Sequence, residues 1–244
     1  MEAVVRVLRV LQPLGFDCVI PFSVRSIEAG LSRLGSPFDF GIGTTELAAP
    51  DPSPPDALGL LVANSGALWG PFQRQFPKFM TYPNPLDAYT EASFAEVSGQ
   101  WEDARTFFSH GALGRRLPIQ KIADLSGELP LGPAHLNVHP LYGPWIALRG
   151  VLVLPSEPPP KAIEAVTSPC LGCSAPCRPA LEEALAGKQR EPWPEFAHLS
   201  LTQNPLSVRA QTFLRVRGVC PAGRGHRYSD EQILYHYRRA FPAS

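Results

Sequence analysis

The sequence has no excess charge of either sign and no long apolar run. Its 244 residues include 22 basic and 22 acidic side chains, so the formal net charge is zero. This balance disfavours nucleic acid and anionic membranes as partners, because both attract basic proteins. No segment reaches the roughly 18 uninterrupted apolar residues of a membrane-spanning helix, and residues 1–13 read as an amphipathic helix rather than a signal peptide. We expect a cytoplasmic protein.

The common short motifs of catalysis are also missing. There is no Gly-rich phosphate loop, no His-Glu-x-x-His zinc motif and no serine nucleophile elbow. His135 and His139 are four residues apart, but they lie among prolines and glycines and so do not share a helical face. Chemistry must therefore come from other residues.

What is present indicates an ordinary globular protein, with 44% hydrophobic and 18% charged residues. Short apolar runs bounded by turn residues predict strands, and capped amphipathic segments predict helices. Strands interleaved with helices favour an α/β or α+β fold. A proline cluster at 155–160 divides the chain into a core at 1–155 and a Cys-containing extension at 156–244, which we expect to pack on the core. The predicted strands cover residues 15–22, 58–63 and 144–154, and the predicted helices begin near residues 64, 84 and 229.

The strand predicted at 144–154 contains one charge, Arg149. A buried unpaired charge is very costly, so Arg149 reaches solvent at a sheet edge, forms an internal ion pair or binds an anion. The planar guanidinium is well suited to a carboxylate. The residues alone do not decide among these three interpretations.

Two segments have compositions that suit a broad, flat ligand. Residues 137–145 combine aromatics, proline and glycine, which together make a rigid loop. In residues 109–114 a histidine is followed by small residues, and only a backbone with small side chains lets a large ring come close. Alone, the second segment would more often be a glycine-rich turn with an exposed histidine.

These segments resemble the CblC family of cobalamin-processing proteins. The run at 139–154 carries most of the likeness, and 109–114 is a second match. Weaker matches at 13–22, 84–87 and 227–232 keep the family's order along the chain. The resemblance covers most of the sequence and implies a nitroreductase-like sheet flanked by helices.

The resemblance also implies a function. It implies a reductase that binds a corrinoid with its lower base displaced and removes the upper axial ligand by decyanation or dealkylation. Electrons would come from glutathione or reduced flavin. Arg149 is the catalytic candidate, since the arginine of this motif is implicated in glutathione binding in the family, and Arg209 and Arg227 are its candidate partners. The implied cobalamin contacts are His110, Gly111, His139, Tyr142, Gly143 and Trp145.

A cysteine cluster departs from the CblC family. Cys170, Cys173 and Cys177 match the last three cysteines of a bacterial ferredoxin run, and Cys220 is a distant fourth ligand. The cluster resembles those of epoxyqueuosine reductase and the reductive dehalogenases, in which a CblC-like domain is combined with two iron–sulfur clusters. Four ligands suffice for one 4Fe-4S cluster or one zinc ion, while metal-free reactive thiols and no role also stay open. Cys18 is expected in the core.

Two other functions remain open. In the first, the chain is a non-catalytic corrinoid carrier whose cysteines hold a structural metal. In the second, a corrinoid cofactor reduces another substrate, with electrons from a cysteine-bound metal or iron–sulfur cluster. A corrinoid is the expected partner in each, and a homodimer is compatible with the sequence.

Overall fold

The structure is a computed structural model that describes residues 2–41, 56–111, 117–159, 166–187, 206 and 208–238. The proline cluster at 50–55 and residues 112–114 of the second motif lie outside the described residues. Two compact units share the chain. Unit one consists of Met1–Glu128 and Ala147–Ala165, and unit two consists of Leu129–Ile146 and Val166–Ser244. The limits 1–155 and 156–244 stay a prediction.

Unit one is built on a four-stranded antiparallel sheet with helices packed on its strands, so the mixed helix and sheet class is confirmed. The strand order is β1-β2-β4-β3, and every pairing is antiparallel. The strands are β1 (Cys18–Ser23), β2 (Leu58–Asn64), β3 (Arg105–Phe108) and β4 (Ala147–Leu154). The helices are α1 (Glu2–Leu11), α2 (Val24–Arg33), α3 (Trp69–Phe79), α4 (Pro85–Ser98) and α5 (Ile119–Leu125).

The inner strands are the most apolar segments of the chain. Every residue of β2 is buried, as are the last six of β4, which fits strands covered on both faces. The three strands predicted from apolar runs are confirmed. Strand β3 was not predicted, because it has four residues and begins with an exposed arginine.

Local sequence signals account for the helices of unit one. In α1, Val4, Val7 and Leu11 form the buried stripe that the amphipathic pattern predicts. The helix predicted after residue 64 starts as a 3-10 turn at Gly66–Leu68 and continues as α3. The Ser65 hydroxyl accepts a hydrogen bond from the Ala67 N–H, as an N-cap does.

In the part of unit two that the structure describes, the regular elements are helices and isolated bridges. Its helices are α6 (Cys177–Leu185), α7 (Val208–Gly218) and α8 (Asp230–Arg238). Helices α6 and α7 pack together, and Arg215 pairs with Glu183 across them at 2.9 Å. An apolar cluster joins Trp145 to α7 and α8. The Ser229 hydroxyl accepts from the Gln232 N–H at the start of α8, where a serine cap was predicted. Among the described helices, none has the length and apolar character to cross a membrane.

The pairing of β3 with β4 depends on a glycine. An added Cβ at Gly150 would lie 2.3 Å from the Phe107 carbonyl oxygen, which is backbone and cannot move without separating the strands. We therefore predict that Gly150→Ala lowers the free energy of unfolding by about 1–3 kcal/mol, the usual cost of overpacking, measured by urea denaturation.

Gly70→Ala is the matched control. Gly70 lies in α3, and its added Cβ would meet only the end of the Arg74 side chain at 3.5 Å. Alanine favours helix, so stability should be unchanged or rise by up to about 1 kcal/mol. Equal losses in the two variants would contradict the role assigned to Gly150.

Candidate functional site

A β-bulge at the centre of the sheet accommodates Arg149. Val62 of β2 pairs with Gly150, but the next residue, Ala63, pairs with Leu148. Arg149 is therefore the extra residue of β4 relative to β2, and a bulge changes the direction of such a side chain. On the other side of β4, the Arg149 carbonyl accepts a hydrogen bond from the Ser109 N–H at 2.9 Å.

Arg149 is buried, with 9% of its surface exposed. Because β4 lies between β2 and β3, the reading in which Arg149 reaches solvent at a sheet edge is wrong. Its Nε donates a 2.6 Å hydrogen bond to Oδ1 of Asn64, a fully buried amide at the end of β2. The Asn64 amide oxygen thus satisfies the Nε donor of the guanidinium.

Asn64 belongs to a short polar chain at this end of β2. Its Nδ2 donates to the Ser65 carbonyl at 2.6 Å. The Ser65 N–H and hydroxyl donate to the two oxygens of Asp17, at 2.8 and 2.5 Å. Asn64, which orients Arg149, is thus held by Ser65, and Ser65 is anchored by the carboxylate of Asp17. A satisfied hydrogen-bond network of this kind is rigid.

His110 is placed by helix α4. Its Nε2 lies 2.9 Å from Glu91 Oε1 and its Nδ1 lies 3.6 Å from Asp87 Oδ1. The two carboxylates are one helical turn apart, and the ring also stacks on Phe108 with 5.2 Å between centroids. Gly111 has open space beside it, since an added Cβ would come no closer than 4.0 Å to Phe108. The packing of the described residues therefore does not require a glycine at 111.

In unit two, His139 organises the loop that was predicted to be rigid. His139 and Gly143 exchange two backbone hydrogen bonds, at 2.8 and 2.9 Å. Its Nδ1 accepts from the N–H groups of Leu141 and Tyr142, so the proton of the neutral ring is on Nε2. The ring stacks on Tyr142, with 4.6 Å between centroids.

Close packing explains the glycine at 143. Gly143 has a φ of +56°, and an added Cβ would lie 2.0 Å from the Ala222 carbonyl oxygen. This glycine is required by a backbone-to-backbone approach within unit two, whether or not a ligand is near. Tyr142 beside it meets His226 edge to face, with 5.1 Å between centroids.

A cavity of about 360 Å³ lies beside this loop, lined by Trp145, Gly218, Arg224 and Arg227. Trp145 is 2% exposed and packs on Tyr228 in the apolar cluster. Arg227 also pairs with Asp230 at 2.7 Å. Arg209 is exposed on α7, 5.9 Å above the Phe213 ring, and does not line the described cavity. Arg224 and Arg227 bring two cationic side chains to the cavity, and Asp230 offsets part of the Arg227 charge.

The four clustered cysteines line a second, apolar pocket of unit two, here called the thiol pocket. Its volume is about 20 Å³, room for about one water molecule. Three loops and two helices supply its lining, which apart from the thiols is made of proline, glycine, alanine and aliphatic residues. The thiols are those of Cys170, Cys173, Cys177 and Cys220.

Burial controls the protonation of two of these thiols. Desolvation raises the pKa of Cys177 and of Cys220 above that of a free thiol, and the neighbouring cysteines raise both further. Neither is poised as a nucleophilic thiolate at neutral pH. Within the described residues, no group of three or more His, Cys, Asp or Glu side chains is arranged to hold a metal ion. Metal binding by the cysteines therefore stays a prediction.

Cys18 is a core residue, as expected. It lies in β1, is 7% exposed, and burial raises the pKa of its thiol to about 12, with smaller contributions from Glu128 and Asp17. It belongs to unit one, so it is separate from the four thiols of unit two.

Several residues of these sites were not singled out from the sequence. Asn64 had a weak signal, because a polar residue ends a fully apolar strand. Asp87 and Glu91 had the i, i+4 spacing of one helix face, but nothing in the sequence pointed to His110 as their partner. Arg224 had no signal beyond its charge.

The fold is that of CblC-type proteins. The chain matches the crystal structure of a B12-trafficking protein from C. elegans, CblC, a homologue of human MMACHC, with a TM-score of 0.63 over 98% of this chain and 92% of that chain. The sequences are 18% identical, so the likeness concerns the fold, and the resemblance drawn from the sequence is confirmed at that level. Comparisons with protein-family models and with curated proteins give no match.

The bond between Arg149 and Asn64 can be tested by a double-mutant cycle. We predict that Asn64→Ala lowers the free energy of unfolding by about 1.5–3 kcal/mol, because a buried guanidinium loses its acceptor. With Arg149→Met already present, the same change should cost clearly less. Urea denaturation of the four proteins measures the coupling.

Ser109→Ala is the control, because it removes a neighbouring 3.1 Å hydrogen bond between neutral groups, from the Ser109 hydroxyl to the Leu148 carbonyl. It should cost about 1 kcal/mol and add independently to Arg149→Met. Additive losses for Asn64 and Arg149 would show that their contact contributes nothing.

Proposed function

We propose that this protein binds a corrinoid with its lower base displaced and reductively removes the upper axial ligand. The observation that carries the proposal is the shared fold, which extends over 98% of the chain with a protein of B12 trafficking. The sequence likeness at 139–154 and 109–114 supports it independently, since motif and fold agree on the same class of ligand.

Arg149 is the residue proposed to place an anionic thiol such as glutathione. Its positive charge is buried in an inner strand, and its described partner, Asn64, is neutral. The planar guanidinium fork of an arginine suits a carboxylate, such as those of glutathione. The polar chain from Asp17 through Ser65 to Asn64 positions the guanidinium for this task.

Arg227 is proposed as a second anion contact, because it lines the same cavity as Arg224. Arg209 keeps its proposed role through the resemblance alone, as its exposed position offers no built site. Corrinoid contacts are proposed for Gly111, where the backbone is open, and for the residues that share its motif or the 139–145 loop: His110, His139, Tyr142, Gly143 and Trp145.

The chemistry follows from how a protein controls a metal macrocycle. Displacing the lower base and excluding water favour low-coordinate cobalt, which is easier to reduce. Loss of cyanide then requires electrons, for which reduced flavin is the proposed donor. Removal of an alkyl group needs only a thiolate, which takes the alkyl group as a thioether while cobalt keeps the bonding pair. Glutathione is the proposed thiol.

A carrier without catalysis is the second candidate function. It is favoured by the matched structure, which is that of a B12-trafficking protein and so of a protein described by corrinoid transfer. In this reading the chain binds the corrinoid base-off and passes it on with the upper ligand in place. Reduction of a separate substrate, with the corrinoid as cofactor, is a third reading with the same binding step.

Anaerobic mixing with cyanocobalamin and methylcobalamin tests the proposal. We predict that each visible spectrum shifts to the base-off form at stoichiometric protein. Reduced flavin should then release cyanide from the first corrinoid, and glutathione should yield S-methylglutathione from the second, as measured by a cyanide electrode and mass spectrometry. Arg149→Met should reduce the glutathione reaction by about tenfold or more, while Arg149→Lys, which retains the charge, should recover part of it.

Arg9→Met is the matched control for loss of a cation, since Arg9 lies in α1 outside the proposed site and should leave both reactions unchanged. A base-off shift without loss of either ligand would favour the carrier. Spectra that do not change with excess protein would contradict corrinoid binding altogether.

A further inference from the structure

The thiol pocket has the features of a metal site that the corrinoid function does not use. Its four cysteines come from a loop, the start of α6 and the segment after α7. Cys177 and Cys220, which are 43 positions apart in the chain, therefore line the same small space. Pairs of thiols spaced Cys-x2-Cys and Cys-x3-Cys, joined by a distant cysteine, are the usual ligand set for a tetrahedral ion.

Backbone N–H groups are directed at the sulfurs. The Ala175 N–H donates to Cys173 Sγ at 3.4 Å, and the backbone of Ala222 makes the corresponding bond to Cys220, in each case two residues further along. Cys177 is the first residue of α6, where the helix dipole favours negative charge. Such hydrogen bonds stabilise metal-bound thiolates, whereas a structural cysteine of an apolar core has no need of them.

The absence of a side chain at Gly132 leaves space beside one of the thiols. Gly132 lies beside Cys170, and a Cβ there would come within 3.3 Å of the Cys170 sulfur and 2.9 Å of Val138. The volume of about 20 Å³ has room for about one water-sized body, which is compatible with a single ion.

The turn that carries Cys170 and Cys173 can move at little cost. Leu171 is 79% exposed, and Gly172 has a φ of +75° with open space where a Cβ would be. A small inward shift of this turn loses few apolar contacts. The four thiols line one space, but among the described residues no three such side chains are arranged to hold an ion. Metal binding in this pocket therefore includes an inward shift of the Cys170 turn.

We propose that the thiol pocket binds one thiophilic divalent cation of the zinc class through its four cysteine sulfurs. The ion replaces the protons of the thiols, which leave to solvent, and no oxidation occurs. It connects the start of α6, the end of α7 and the Cys170 turn, and its role is structural because four protein ligands leave no open position. This inference goes beyond corrinoid processing and does not depend on it.

The test is metal analysis of the full chain without any corrinoid. The protein is produced with zinc and iron both supplied and purified without oxygen. We expect about one zinc per chain and no acid-labile sulfide. Addition of Co²⁺ to metal-free protein should give the visible bands of a tetrahedral thiolate site. Zinc content and the Co²⁺ bands should fall by more than about tenfold in Cys170→Ser and in Cys220→Ser.

Cys18→Ala is the matched control, since this fifth cysteine lies in β1 and should not change metal content. A thiol count on the wild-type chain keeps the test valid if a serine variant fails to fold. Removing zinc with a chelator should make four more thiols react with a chromogenic disulfide. Iron with acid-labile sulfide, no metal, or an unchanged thiol count would each overturn the single-ion proposal.

Discussion

The burial of one cation in an inner strand is the constraint on which unit one depends. Arg149 lies in an inner strand of an antiparallel sheet, where removing a charge from water is costly. A bulge opposite Ala63 makes room for it, and Asn64 holds its Nε. Anion binding is the role proposed for this arginine, and the contact with Asn64 fixes the direction of its guanidinium.

The two glycines of the proposed corrinoid segments have different physical reasons. Gly143 is needed by the fold, because the Ala222 carbonyl occupies the space of its Cβ. At Gly111 an added Cβ would come no closer than 4.0 Å to any described residue outside its chain neighbours, so the described packing gives no reason for a glycine there. A glycine in a candidate binding motif is therefore informative only when its surroundings are known. By this criterion Gly143 carries no argument for a ligand.

Local patterns predicted the apolar strands, the amphipathic α1 and the serine caps, since each depends on neighbours in the chain. Arg149 could be singled out from the sequence because it is the one charged residue in an otherwise apolar strand. Its partner Asn64 is 85 residues away, and neither the bulge nor β3 leaves a local pattern. The cysteine spacing predicted that the four thiols lie together. The contact with Gly132 and the N–H···S hydrogen bonds could be found only from the folded structure. Pairings distant in sequence account for most of what the sequence could not predict.

The central claim is that this CblC fold binds a corrinoid with its lower base displaced. Electron paramagnetic resonance of cob(II)alamin tests it most directly, because the nitrogen of a coordinated lower base splits the cobalt signal and a displaced base does not. The account predicts that this splitting disappears when protein and cob(II)alamin are mixed one to one. A spectrum identical to that of free cob(II)alamin in the presence of excess protein would contradict it.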